Sequence, residues 1–199
     1  MRVFKFVILG LVAMTLAGCG INNIPTYDQA MKAKWGQVEN EYQRRADLVP
    51  NLVETVKGYA AQEKDVLTAV TEARSRATSI QLSPEIVNNP EEFAKYQAAQ
   101  GQLSQALGKL LAITENYPDL KSNQNFLALQ SQLEGTENRV TIARKDYIEA
   151  AQTYNTELVT FPGRLWASTM YSSYKPAATF TADAGSDKAP KVDFNKPKS

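Results

Sequence analysis

Residues 125–161 read NFLALQSQLEGTENRVTIARKDYIEAAQTYNTELVTF, and this stretch decides the fold. Counting in sevens from Phe126 meets Leu133, Val140, Tyr147, Tyr154 and Phe161, and the companion positions are Leu129, Thr136, Ala143, Ala150 and Glu157. Such a heptad pattern predicts one long helix whose apolar stripe faces neighbours that repeat in the same way. At 1.5 Å per residue it would be roughly 54 Å long. A helix of that length needs its stripe covered, so the rest of the chain is expected to supply the cover.

The same count runs through the first half of the chain. From Tyr27, apolar residues fall at Met31, Trp35, Val38, Tyr42, Val49, Leu52, Val56, Tyr59, Val66, Val70, Ala73, Ala77 and Ile80, with Arg45 and Glu63 as polar exceptions in the register. Pro50 interrupts this run. It lacks an N–H and its ring crowds the Ala46 carbonyl. Either one helix continues through a kink, or the chain turns at Asp47–Pro50. The kept register favours the kinked helix; the shorter return helix favours the turn. Asn89-Pro90-Glu91-Glu92 is an N-cap with proline at N1 and acids on the dipole. A second helix over Pro90–Glu115 follows, with Ala99, Ala106 and Gly108 permitting close approach. Ser122 or Asn123 caps the long helix, and Arg164–Tyr171 is expected to form a short amphipathic helix through Leu165, Trp166 and Met170. The expectation is therefore an all-α chain: a long antiparallel up-and-down bundle of three long helices, the first kinked or broken at Pro50, plus a short C-terminal helix.

The 199 residues contain no histidine, and Cys19 is the single cysteine. Imidazole chemistry is thereby excluded, and so is an internal disulfide. Residues 1–18 carry Arg2 and Lys5 ahead of an apolar stretch from Phe6 to Ala13, the order of a secretory signal. Leu16-Ala17-Gly18-Cys19 then resembles the bacterial lipobox, which predicts cleavage before Cys19 and lipid on its thiol. Losing the two cations of the leader moves the net charge from +1 to −1, so a nucleic-acid partner is not expected. Membrane attachment would come from the lipid, each buried methylene contributing about 0.8 kcal/mol. Gly20 replaces the aspartate that retains lipoproteins in the inner membrane, which leans towards the outer membrane in a Gram-negative envelope. Residues 19–26 are read as a tether with Pro25, 27–180 as the helical domain and 181–199 as a disordered tail.

QRRADLVPNLVETVKGYAAQE at 43–63, ENYPDLKSNQNFLALQSQLEGTENRV at 115–140, ARKDY at 143–147, Tyr154-Asn155 and FPGRLWA at 161–167 together resemble the LemA family of bacterial membrane-attached proteins. The resemblance spans about residues 27–180. It implies an all-helical bundle tied to a membrane at its N-terminus. It also implies work with an envelope protein partner, a membrane protease being one candidate, and it supplies no settled reaction.

Two polar groups are the candidate sites. Arg44, Arg45, Asp47, Pro50, Asn51 and Glu54 surround the proline, where arginines could bond freed backbone or dock a carboxylate or phosphate. The bland reading is that Arg45, inward by register, pairs with a carboxylate. Glu134, Glu137, Asn138, Arg139 and Arg144 form a band on the long helix, either an ion-pair ladder or carboxylates for acid–base chemistry. Tyr154 and Asn155 could close one end of the bundle. No catalytic residue, metal ligand or cofactor is assigned. The expected function is a lipid-anchored helical scaffold facing the periplasm or cell exterior, able to oligomerise, and not an enzyme. The alternatives are a carboxylate-based enzyme and a periplasmic bundle binding a small or lipidic ligand.

Overall fold

A computed structural model describes residues 20–80 and 84–181. The leader, Cys19 and residues 182–199 lie outside the described residues. The described residues form six α-helices and one 3-10 turn, with no strand among them. The helices are α1 (Asn23–Lys57), α2 (Lys64–Ser79), α3 (Pro90–Thr114), α4 (Pro118–Lys121), α5 (Gln124–Val159) and α6 (Gly163–Thr169); Pro84–Asn88 is the 3-10 turn.

α1 runs unbroken through Pro50, so the turn at Asp47–Pro50 does not exist. Its start is also earlier than the tether reading placed it: Asn23–Thr26 form the first turn, where Pro25 is tolerated because that turn's N–H groups have no helical partner. The helix stops after Lys57 instead of running on to Ile80. At Gly58 the backbone N–H groups of Tyr59 and Ala60 both turn back to the Val56 carbonyl. Gly58 has poor helix propensity, and the loop it opens is held from outside. Tyr117 donates to Glu63 Oε1 at 2.6 Å, and Asn123 Nδ2 donates to the Tyr59 hydroxyl at 2.8 Å. Glu63, polar in an apolar register, is therefore a loop residue.

Past the loop, α2 folds back along the C-terminal half of α1. Arg74 Nε donates to the Ala46 carbonyl at 2.7 Å, the very acceptor that Pro50 leaves without its helical N–H. α3 starts as expected: Asn89 Oδ1 accepts from the Glu91 and Glu92 amides. α3 packs on α2, and α5 packs chiefly on α1. Asn23 bonds Glu157, Lys34 bonds Asp146, Glu41 bonds Arg139 and Arg45 bonds Glu137, so α1 and α5 run in opposite directions. Asn123 caps α5 by accepting from the Phe126 amide at 3.0 Å.

Two apolar clusters fill the interior. One joins Trp35, Tyr42, Phe93, Tyr96, Val140, Tyr147 and Tyr154; the other joins Val49, Val56, Val70, Leu103, Leu110, Phe126 and Leu133. Three sequence expectations fail here. Phe161, expected in the stripe, is 86% exposed, because α5 ends at Val159 and the chain leaves the stripe. Gly108 faces open space and mediates no helix contact. Leu165 and Met170, expected on a packed amphipathic face, are exposed.

After α6 the chain extends along the bundle. Asn155 brackets Ala177, its Oδ1 accepting from the amide at 2.8 Å and its Nδ2 donating to the carbonyl at 2.9 Å. Tyr154 donates to the Lys175 carbonyl and Tyr147 to that of Ala178. Phe180 completes an aromatic group with Trp35, Phe93 and Tyr147. Thr181, assigned to the tail by sequence, is held through its amide and carbonyl by the Gln97 side chain.

Candidate functional site

Between the two apolar clusters lies a polar layer, built around Arg45. The α1 register turns this side chain inward, where it is 1% exposed. An arginine stays charged, so burial demands partners. Nη1 donates to Ser104 Oγ at 2.6 Å and to Glu137 Oε1 at 3.0 Å; Nη2 donates to Gln100 Oε1 at 2.6 Å and to the Gln100 carbonyl at 3.2 Å. The guanidinium also lies 4.9 Å from the Tyr42 ring centroid. Its Nε has no hydrogen-bond partner. Three helices thus converge on one cation: α1 supplies it, α3 the neutral acceptors and α5 the carboxylate. The Glu137 side chain is 40% exposed, so the pair is buried at one end and wet at the other.

The layer continues outward. Arg139 Nε donates to Glu41 Oε2 at 3.0 Å and its Nη2 to Thr136 Oγ1 at 2.9 Å. On the apolar side, Tyr96 has a buried hydroxyl without a well-formed bond, and burial drives its ionisation far above the usual phenol range. Earlier on α1, Trp35 Nε1 and Glu39 Oε1 are both buried without a hydrogen bond of good geometry. Burial holds the Glu39 carboxyl above its usual range and outweighs the opposing pull of the indole.

The remaining sequence candidates do not join this site. Arg44, Asp47, Pro50, Asn51 and Glu54 are exposed on the outer side of α1. Asp47 accepts from Gln43 and Glu54 pairs with Lys57, contacts local to the helix. The freed Ala46 carbonyl is taken by Arg74, not by Arg44 or Arg45. On α5, Glu134 accepts from Gln130. Glu134, Glu137 and Asn138 edge a surface groove of about 540 Å³ whose floor includes Leu107, Leu111 and Leu133. Arg144 stacks on Phe180, its guanidinium 4.3 Å from the ring centroid. The single polar band read on α5 therefore splits into an inward pair, an outer lip and a ring contact.

Sequence reasoning missed Gln100, Ser104, Glu41 and Arg74. Gln100 carried a legible signal: it falls seven after Phe93 and seven before Leu107, a polar residue in a core register, as Arg45 and Thr136 are in theirs. Asp28 is a fourth case, seven before Trp35 and 3% exposed, paired with Lys32 at 3.1 Å. Burial opposes the Lys32 charge, but Asp28 and Glu85 together raise its affinity for the proton.

Chemically the layer is closed around the Arg45 guanidinium, while Glu137 keeps one side open to the groove. Its cation is consumed by internal acceptors. Among the described residues, no three carboxylate, thiol or imidazole groups converge as metal ligands. No described helix is long and apolar enough to cross a membrane.

A sequence model described as the LemA family matches residues 34–194. The chain is 27% identical over 157 residues to magnetosome protein MamQ 2 of Paramagnetospirillum magneticum, covering 71% of this chain and 58% of that protein. It is 26% identical over 172 residues to magnetosome protein MamQ of Magnetospirillum gryphiswaldense, covering 78% and 63%. It is also 26% identical over 121 residues to protein LemA of Metamycoplasma hominis, covering 61% and 51%. The chain thus spans between half and two thirds of the length of these relatives.

Proposed function

Because this chain belongs to the LemA family, we propose that it is a membrane-attached helical scaffold of the bacterial envelope. In this reading α1, α2, α3 and α5 form an antiparallel up-and-down rod. Lipid on Cys19 anchors the rod, which faces the periplasm or cell exterior and, in a Gram-negative cell, stands on the outer membrane. Its outer charges on α1, including Arg44, Asp47 and Glu54, meet an envelope protein, a membrane protease being one candidate. It performs no reaction of its own.

The observation that carries this reading is the internal consumption of the polar layer. A catalytic carboxylate needs an approach for substrate and a tuned proton affinity. Glu137 is tied to a buried arginine. Glu39, whose carboxyl burial raises, does not line the groove edged by Glu134, Glu137 and Asn138. What the layer does supply is alignment of three helices, which suits a rigid display surface. The magnetosome names belong to the relatives and lend only the idea of a membrane setting.

The test is labelling of cells with a fatty acid, followed by fractionation. The native chain is expected to take up label and to stay with the membranes. Cys19→Ser is expected to do neither, and equal labelling would remove lipid attachment. Cross-linking of the full chain in cells, read by mass spectrometry, addresses the scaffold. Capture of an envelope protein should persist in Glu134→Gln. Turnover of an envelope substrate that disappears in Glu134→Gln would favour an enzyme.

A further inference from the structure

Half of the large apolar side chains left exposed among the described residues fall at the end of α5 and along α6, Val159 sharing a surface groove with Ile148. Val159 (65%), Phe161 (86%), Leu165 (49%) and Met170 (60%) fall within twelve consecutive residues, while the other four are spread from Tyr59 to Ile148. Concentrated exposure of this kind marks a contact surface, whereas single exposed apolar residues need no explanation. The segment is anchored beneath. A Cβ at Gly163 would overlap the Glu157 carbonyl and carboxylate, so only glycine lets α6 turn so closely off the end of α5. Between Val159 and Met170 the single ionisable side chain is Arg164, which is exposed.

The corner between α5 and α6 lies where the described chain begins. A Cβ at Gly20 would sit 3.3 Å from Pro162 Cγ, and Asn23 Nδ2 donates to Glu157 Oε1 at 3.1 Å. Cys19 directly precedes Gly20 in the sequence. An anchor there would hold this corner at the bilayer whatever else the molecule touches. The effective concentration of lipid at the patch would then far exceed that of any free partner.

We propose that Val159–Met170 is a membrane-contact surface. Phe161 seats in the boundary between headgroups and acyl chains, Val159, Leu165 and Met170 flank it, and Arg164 meets anionic headgroups. The proposal rests on the reading that the chain is attached to a membrane at its N-terminus, and adds that the folded domain itself touches the lipid. Two contacts instead of one would fix the tilt of the rod over the membrane.

The test uses the full chain extracted from membranes and reconstituted into phosphatidylethanolamine–phosphatidylglycerol vesicles with brominated acyl chains. Phe161→Trp reports on the corner. Leu127→Trp, at the other end of α5, is the control; both parent side chains are exposed, so neither change disturbs the core. All proteins should float with the vesicles. The tryptophan added at 161 should lose about half its emission to bromine, as for a ring ~5–10 Å into the boundary, beyond any loss in the native chain, and the one at 127 none. Equal behaviour at 161 and 127 in floating protein overturns the contact surface and leaves the anchor intact. A blue shift at 161 without bromine quenching overturns it in favour of a second copy or a protein partner. Failure to float removes the attachment reading and this proposal with it.

Discussion

At the scale of single residues, Arg45 and Glu137 form an unequal pair. Arg45 is 1% exposed, whereas the Glu137 side chain is 40% exposed. Removing the carboxylate leaves a buried cation with neutral acceptors only, and removing the cation leaves a carboxylate that water can reach. Glu137→Leu is therefore expected to cost about 3–5 kcal/mol, the penalty for orphaning a buried charge. Arg45→Met with Glu137→Leu should recover most of it, because an apolar layer of similar volume replaces an ion pair at little or no loss. Urea denaturation of the four proteins of the cycle measures this; a double variant no better than Glu137→Leu would show that the guanidinium holds the helices in a way methionine cannot. Glu39 gives a second prediction with a pH signature. Burial raises its folded pKa above the ordinary 4.5. The protonated carboxyl therefore favours the fold below about pH 4.5, and that contribution is lost as pH rises through the folded value. Glu39→Gln should melt higher than the native chain at pH 7, and the gap should close as pH falls below the ordinary value. A gap independent of pH would assign the effect to something other than ionisation.

At the scale of elements, α1 depends on a side chain from α2. Pro50 withholds a hydrogen bond from Ala46, which is 3% exposed, and Arg74 fills the place. Arg74→Met should cost about 1–3 kcal/mol, the penalty of a buried unpaired carbonyl. In a Pro50→Ala background the restored amide satisfies Ala46, and the same change should cost well under ~1 kcal/mol. Equal costs in the two backgrounds would mean that Arg74 acts through other contacts. How far the elements were legible follows the same logic of local against distant causes. The stripe Phe126, Leu133, Val140, Tyr147 and Tyr154 is buried, as the heptad count gave. The companion line holds at Thr136 and Ala143 but then passes to Ala151 and Leu158, not Ala150 and Glu157. A straight helix drifts about 20° per heptad, so a strict count slips by one residue over five heptads. The stop at Gly58 was hidden for another reason: the spacing of Val49, Val56 and Val70 carries across the loop unchanged. Its cause sits at Tyr117 and Asn123, far away in sequence. Arg45 was legible as an inward cation because the register is local; Ser104 was not, since a small polar residue on an exposed turn gives no sign that a guanidinium from another helix will reach it.

For the molecule as a whole, the question is where the folded unit ends. The extended segment after α6 closes the cluster around Trp35. Ala177 is buried, Phe180 touches three core rings, and Asn155 and Gln97 each hold a backbone residue through both of its polar groups. Bracketing an amide and a carbonyl together copies the pairing of a strand edge, so the segment needs no second strand. Phe180 also carries the Arg144 guanidinium on its face, so its removal strips a cation of its ring. Truncation after Met170 should therefore open the cluster and lower Tm by about 5–10 °C, as a loss of a few kcal/mol does in a domain of this size. Truncation after Ala182 should leave Tm within about 1–2 °C, since the small, lysine- and proline-rich sequence beyond it has little apolar surface to bury. Calorimetry on the two shortened chains beside the full chain decides it. A large loss on cutting at Ala182 would extend the folded unit into the tail. No loss on cutting at Met170 would mean that α1, α3 and α5 close the aromatic cluster by themselves, and that the strap only lies upon it.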